Sequence, residues 1–317
     1  MCMKDQYGRT IDYLRVSVTD RCNLRCTYCM PENGIELYEH SRILSVEEID
    51  SIIRAGARLG IKKVRITGGE PLVRKGILDI VRNAAQTPGI ESLCMTTNGI
   101  LLPEYADRLR ELGVERLNIS LDTLDPERYA SLTRVGSLDD VMKGLRAAEE
   151  AGFTGTKINT VLLGGINDSE IGSLASLTKD RDLSVRFIEL MPMGECVGWP
   201  EESFIENSAV LRALPELEPV SIDGVSRLYR LPGAAGTVGL ISPMSSHFCP
   251  SCNRIRLTSD GRLKPCLHSD TEIPLKGLEG QALEDTMRRA IFEKPARHHL
   301  NETHHSETHR NMNAIGG

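Results

Sequence analysis

No apolar run in the 317-residue sequence approaches the ~20 residues that a membrane-spanning helix needs. The opening residues, Met1-Cys2-Met3-Lys4-Asp5, lack the apolar stretch of a secretory signal, so a cytoplasmic protein away from membranes is expected. Excess positive charge is missing too. The net charge of −6 argues against a general polyanion binder and against a nucleic-acid partner. A phosphate-bearing ligand would need a local group of Arg and Lys, because charge beyond roughly 8 Å is screened at cellular salt. No Gly-x4-Gly-Lys-Ser/Thr loop occurs, so the usual phosphate cradle is absent. The last absence is a fourth cysteine near Cys22, Cys26 and Cys29.

Those three cysteines form a Cys-x3-Cys-x2-Cys loop directly after a strand-like run, Leu14-Arg15-Val16-Ser17-Val18. Three thiolates can hold three irons of a cubane cluster, whereas a closed 4Fe–4S cluster takes four cysteines. One iron is then left for a ligand that is not protein, as the open position of a catalytic zinc is. The competing reading is a zinc knuckle completed by His40. In a reducing compartment, nine cysteines in clustered spacings point to metal or catalysis rather than to disulfides.

With 40% hydrophobic residues the chain can build a full core. Strand patterns at 14–18, 63–67, 91–97, 116–121, 157–162 and 184–189 alternate with helical ones at 46–59, 76–86, 103–111, about 138–148 and from near Asp168. Ser45-Val46-Glu47-Glu48 reads as a capping box. Alternation of this kind gives a parallel α/β sheet, and six βα units are too few for a complete barrel. The expected fold is an incomplete (βα)6 TIM-type barrel, with its active face at the strand ends. There lie the cysteine loop, Gly68-Gly69-Glu70-Pro71, Thr96-Thr97-Asn98, Ser120 and Met191. After about residue 195 the pattern changes to a helix near 204–214, short strands near 226–231 and 236–241, and a helix near 283–293. The expected domains are residues 1–195 and residues 196–317, the second closing the barrel.

Cys249, Cys252 and Cys266 form a second triplet. Spacing alone leaves open an iron site with a free position and a structural zinc site completed by His247 or His268. Arg254 and Arg256, two apart, point to one side of an extended segment, and paired guanidiniums suit a phosphate or a purine. Solvated surface charge is the plainer reading. Gly316-Gly317 reads on its own as a frayed terminus. The tail histidines His298, His299, His304, His305 and His309 read as solvent-exposed, with incidental metal binding the alternative. Of the remaining cysteines, Cys94 reads as core, while Cys2 and Cys196 are unassigned.

The first triplet, with Tyr28 just before its last cysteine, resembles the radical S-adenosylmethionine superfamily. Gly68-Gly69-Glu70-Pro71 resembles that family's second motif, where glycine lets backbone approach a ligand. Val64-Arg65-Ile66-Thr67, Asn118-Ile119-Ser120-Leu121-Asp122, Phe187-Ile188-Glu189-Leu190-Met191 and Cys249-Pro250-Ser251-Cys252-Asn253-Arg254-Ile255-Arg256 extend the likeness over essentially the whole chain. Together with the Gly-Gly end, they resemble the branch that cyclises GTP in molybdenum cofactor biosynthesis. The resemblance implies two 4Fe–4S clusters, one per triplet, with S-adenosylmethionine chelating the open iron of the first and guanine meeting that of the second. It implies S-adenosylmethionine binding by Tyr28, Gly69, Ser120 and Met191. It implies GTP binding by Arg15, Arg65, Thr96, Lys157, Arg254 and Arg256, and catalytic roles for Arg256, Gly316 and Gly317. A hydrogen would leave C3′ of GTP and C3′ would join C8 of the base. A reducing electron donor and a downstream cyclic pyranopterin monophosphate synthase are the implied partners, and a homodimer is one of the assemblies left open. A peptide-modifying radical enzyme with an auxiliary cluster is the alternative, although the Gly-Gly end is unexplained by it. A plain electron carrier would want four thiolates per cluster and no βα units.

Overall fold

The computed structural model describes residues 3–35, 39–303 and 305–316, without the side chains of His40 and Asn301. Six strands, β1 (Tyr13–Ser17), β2 (Lys63–Thr67), β3 (Ser92–Thr97), β4 (Arg116–Ser120), β5 (Thr156–Leu162) and β6 (Leu183–Glu189), pair in parallel in chain order. Between them run α1 (Val46–Arg58), α2 (Ile77–Ala85), α3 (Leu102–Glu111), α4 (Pro126–Thr133) and α5 (Leu138–Glu150), with α6 (Ile171–Ser176) before β6. The capping box forms: Ser45 Oγ accepts from the Glu48 N–H at 3.1 Å, and the Glu48 carboxylate accepts from the Ser45 N–H at 2.7 Å. Ile49, Ile52 and Ile53 of α1 are buried against the sheet. Helix α4 has no counterpart in the sequence reading. Asp125 caps it and Pro126 opens it, both ordinary start signals.

The rest of the chain contributes α7 (Ser208–Ala213), β7 (Glu218–Asp223), β8 (Ser226–Arg230), β9 (Thr237–Ile241), β10 (Arg254–Leu257), β11 (Arg262–Lys264), β12 (Ile273–Pro274), α8 (Gly280–Phe292), α9 (Leu300–Thr303) and α10 (Met312–Ile315). The helix expected from residue 204 starts only at Ser208, because Glu189 holds the Asn207 N–H at 3.0 Å and the Asn207 side chain donates to Ile241 O at 2.8 Å. Two of the strands extend the parallel sheet at its two edges: β9 pairs with β6, and β10 with β1. The hairpin β7–β8 continues outward antiparallel from β9, and β11 and β12 from β10. Among the described residues no pairing joins β9 to β10, so hydrogen bonds do not close the ring.

The strand pleat sorts the residues. Leu14, Val16, Val64, Ile66, Ile158, Val185, Phe187, Ile255 and Leu257 belong to the apolar core with the helices. Their alternates, Arg15, Arg65, Lys157, Arg186, Arg254 and Arg256, line the interior. Register sets Arg15 opposite Arg65 on one side and Arg256 on the other, and Asn118 opposite Thr96 and Lys157. The interior of the barrel is therefore a polar, cationic row. No described helix is long and apolar enough to cross a membrane.

Candidate active site

A single cavity of about 420 Å³ is lined by all six cysteines of the two triplets. The first triplet follows β1. Its loop is pinned by the Arg25 and Thr27 N–H groups, which donate to Thr133 O (3.0 Å) and Leu132 O (2.9 Å) at the end of α4. Burial pushes Cys22 up to about 11 and Cys29 up to about 12, and Cys26 well above the ordinary thiol range. The Leu24 N–H lies 3.3 Å from Cys22 Sγ and Asn98 Nδ2 lies 3.9 Å from it. Three part-buried thiols facing one cavity, with N–H donors at Cys22, fit a cluster that takes thiolate ligands and releases their protons on binding. Among the described residues, no three His, Cys, Asp or Glu side chains close on a single-ion site.

The glycines of the second motif have a packing reason that differs from the expected one. A Cβ on Gly68 would stand 2.8 Å from Thr19 O, and one on Gly69 2.4 Å from Arg21 O. Bare backbone lets this loop run against the stem of the cysteine loop, with Gly69 N–H to Thr19 O and Glu70 N–H to Arg21 O both at 2.8 Å. Both glycines line the cavity as well. Glu70, which the sequence reading gave no role, is fully buried and accepts from the Leu72 N–H (3.0 Å), Thr97 Oγ1 (2.8 Å) and the Asn98 N–H (2.7 Å). It ties the ends of β2 and β3 together, and burial pushes its carboxyl up to about 7. Tyr28 donates to Asp122 Oδ2 at 2.6 Å. Ser120 and Met191 complete this end of the cavity wall.

Cys249 and Cys252 lie just before β10, and Cys266 follows β11. Because β10 runs parallel to β1, Cys252 stands at the opposite end of the strands from Cys22. Burial raises Cys249. At Cys252 burial also pushes upward, but Lys294, the Arg254 N–H and the Arg254 and Arg256 guanidiniums outweigh it and lower the thiol. This donor set also fits a thiolate-ligated cluster. His268 is buried and shares a hydrogen bond with Ser306 (3.2 Å). His298, expected in solvent, instead lines the cavity edge-on between His247 (4.7 Å) and His268 (4.9 Å). Burial holds His298 down at about 4 and His268 at about 3, so both are neutral at pH 7. His299, His305 and His309 are exposed; His304, Cys2 and Gly317 lie outside the described residues. Cys94 is fully buried in β3, and Cys196 lines the cavity with its thiol on Tyr28 O.

Between the triplets lie the cations. Arg65 donates to Tyr13 Oη at 2.5 Å and faces Thr96 Oγ1 at 3.4 Å. Burial raises the Tyr13 phenol, yet Arg65, Arg15 and Arg254 together bring it down to about 8. Lys157 and Arg186 both meet Asp223 Oδ2, at 2.7 and 2.5 Å. Gly316 O accepts from Arg15 Nη2 (3.1 Å) and Arg256 Nη1 (3.3 Å), so the tail reaches two of the interior arginines. Asn118 Oδ1, Asn159 Oδ1 and Arg254 Nε are buried without a hydrogen-bond partner, and all three residues line the cavity. The unspent Arg254 donor among the other cations calls for an anion, and the two unspent amide oxygens call for N–H or O–H donors on the same ligand. Tyr13, Asn118, Asn159, Arg186 and Asp223 have no site role in the sequence reading. For Arg186 a signal existed, a cation alternating with Val185 and Phe187 inside a strand.

An open parallel sheet with a three-cysteine loop after its first strand defines a radical S-adenosylmethionine enzyme. A model of the radical SAM superfamily matches residues 16–178, and one described as molybdenum cofactor synthesis C matches residues 183–300. GTP 3′,8-cyclases from Alkaliphilus metalliredigens and Peptoclostridium acidaminophilum are 50% and 49% identical, each alignment covering 99% of this chain and 100% and 98% of theirs. The chain belongs to the GTP 3′,8-cyclase family. Solved structures share its fold: Streptococcus suis SuiB, with a TM-score of 0.62 at 16% identity over 92% of this chain and 68% of that one, and S-adenosylmethionine-bound anSMEcpe, at 0.59 and 16% over 90% and 81%.

Proposed function

We propose that this protein converts GTP to (8S)-3′,8-cyclo-7,8-dihydroguanosine 5′-triphosphate in molybdenum cofactor biosynthesis. The observation that carries the reading is one cavity with a cysteine triplet at each end and a row of cations between them. Cys22, Cys26 and Cys29 hold a 4Fe–4S cluster, and Tyr28, Gly69, Ser120 and Met191 hold S-adenosylmethionine on it. When bound, that pair supplies a carbon-centred species able to take a hydrogen atom from an unactivated C–H bond. Arg15, Arg65, Thr96, Lys157, Arg254 and Arg256 hold GTP, with guanidiniums matched to phosphate oxygens, and Arg186 joins them. Cys249, Cys252 and Cys266 hold a second cluster that receives the guanine. This sets ribose C3′ toward the first triplet and keeps water from the reacting carbons. Arg256 and Gly316 close the site over the ribose and base, and Gly317 shares the catalytic role that the family resemblance implies. Joining C3′ to C8 after the hydrogen leaves requires one electron and one proton to complete the product.

Residues 1–195 and 196–317 act as the radical-generating and substrate-holding domains. A reducing donor and a cyclic pyranopterin monophosphate synthase are the partners, the cytoplasm is the compartment, and a homodimer is the assembly to test. Anaerobic reconstitution is expected to load about eight irons per chain; half that number with one zinc would make the second triplet a structural site. The reduced protein is expected to form 5′-deoxyadenosine from S-adenosylmethionine when GTP is present. Cleavage supported by a peptide and not by GTP would overturn the reading.

A further inference from the structure

Asp223 ends β7, and with Gly224 and Val225 it forms the tip of the β7–β8 hairpin, which lines the cavity. The tip reaches across: a Cβ on Gly224 would stand 3.7 Å from Arg254 Nη2. One carboxylate oxygen, Asp223 Oδ2, takes both Lys157 Nζ at 2.7 Å and Arg186 Nη2 at 2.5 Å. The two cations project from neighbouring strands with side chains 9% and 8% exposed, whereas the Asp223 side chain is 42% exposed. Strand β7 is exposed along nearly its whole length and forms the edge of the sheet. The anion is therefore on the solvent-facing, sheet-edge side of the pair, and the cations are on the buried side.

We propose that Asp223 is a displaceable counter-anion of the phosphate subsite, holding Lys157 and Arg186 aligned until a polyphosphate oxygen takes its place. Two buried cations on adjacent strands repel one another, and the carboxylate relieves this in the empty cavity. The same carboxylate competes with any incoming anion for the same two donors. It thus sets the affinity of the site without touching the reacting carbons, and it is an affinity-setting residue rather than a catalytic one. The inference rests on the reading that a triphosphate enters this cavity.

The test is equilibrium binding of inorganic triphosphate and of GTP to the anaerobic, cluster-loaded protein and to its Asp223→Asn and Asp223→Ser variants, with iron content matched. Removing the competing charge is expected to tighten both ligands about fivefold, the scale of one partly exposed ion pair at its upper end. Inorganic triphosphate isolates the phosphate subsite from base and ribose. Equal or weaker binding by both variants, while the unaltered protein binds normally, would overturn the counter-anion role alone. Failure of the unaltered protein to bind either ligand would overturn this inference together with the functional reading.

Discussion

Around Cys22, Cys26 and Cys29 the charged groups in reach are chiefly the carboxylates of Glu70 and Asp122, with Arg25 opposing them at Cys22, and burial reinforced by those carboxylates drives all three thiols up. Around Cys252 stand Lys294, Arg254 and Arg256, and the thiol goes down. The two triplets, at opposite ends of adjacent parallel strands, thus differ in their surroundings most at Cys252, whereas burial raises Cys249 as it raises the first three. A pocket flanked by carboxylates suits a ligand that, like S-adenosylmethionine, carries a net positive charge. A cationic pocket suits a cluster that shares its surroundings with a polyanion. The chain gathers its interior arginines between the two triplets, which reconciles an acidic protein with a triphosphate substrate.

The largest expected effect separates the two ends. Cys26→Ala should abolish 5′-deoxyadenosine formation, at least about 10³-fold, while the second cluster persists in the Mössbauer spectrum. Cys266→Ala should keep S-adenosylmethionine cleavage but uncouple it from GTP conversion. Equal phenotypes would erase the proposed division between the ends.

Next is the tail that bridges them. Gly316 has φ +80°, and a Cβ there would stand 2.1 Å from Thr67 Oγ1. Gly316→Ala should push the carbonyl away from Arg15 and Arg256 and lower turnover about 10²-fold through misplacement, with iron content unchanged. Unimpaired turnover would return the tail to a frayed end.

Arg310 fastens the same segment, with Nη1 and Nη2 on Asp260 (3.0 and 2.8 Å) and Nε and Nη2 on Glu272 (2.6 and 2.7 Å). Arg310→Gln should lower thermal stability by about 1–3 kcal/mol, and turnover should fall further than stability alone accounts for. A loss confined to stability would make the clasp structural only.

The smallest effect is on pH. Burial and Arg186 bring Lys157 down to about 8, with Asp223 partly offsetting them, and Tyr13 becomes anionic near the same pH. A cation is lost and an anion gained as pH rises through about 8. GTP affinity should therefore hold below that pH and weaken severalfold above it. Lys157→Arg, which stays charged, should flatten part of the fall; an unchanged profile would show that Lys157 does not bear on the phosphates.

What could be read in the sequence was local. Both cysteine spacings, the strand-ending Gly-Gly, the inward pair Arg254 and Arg256, and all six parallel strands are patterns within a few residues. What could not be read depends on pairings across the chain. Nothing near Asp223 announces Lys157, 66 residues away, and nothing near Gly316 announces Arg15, 301 residues away. That β9 and β10 flank β6 and β1 follows from the closing sheet rather than from either strand. Gly68 and Gly69 show the same limit: the motif was legible, but the crowding by Thr19 and Arg21 that demands it was not.

The most direct test of a radical end facing a substrate end is the fate of one hydrogen. The reduced, cluster-loaded protein should transfer deuterium from GTP labelled at ribose C3′ into 5′-deoxyadenosine, and label at other ribose carbons should stay in the nucleotide. Formation of 5′-deoxyadenosine without that label would show that the two ends of the cavity do not act on the same molecule.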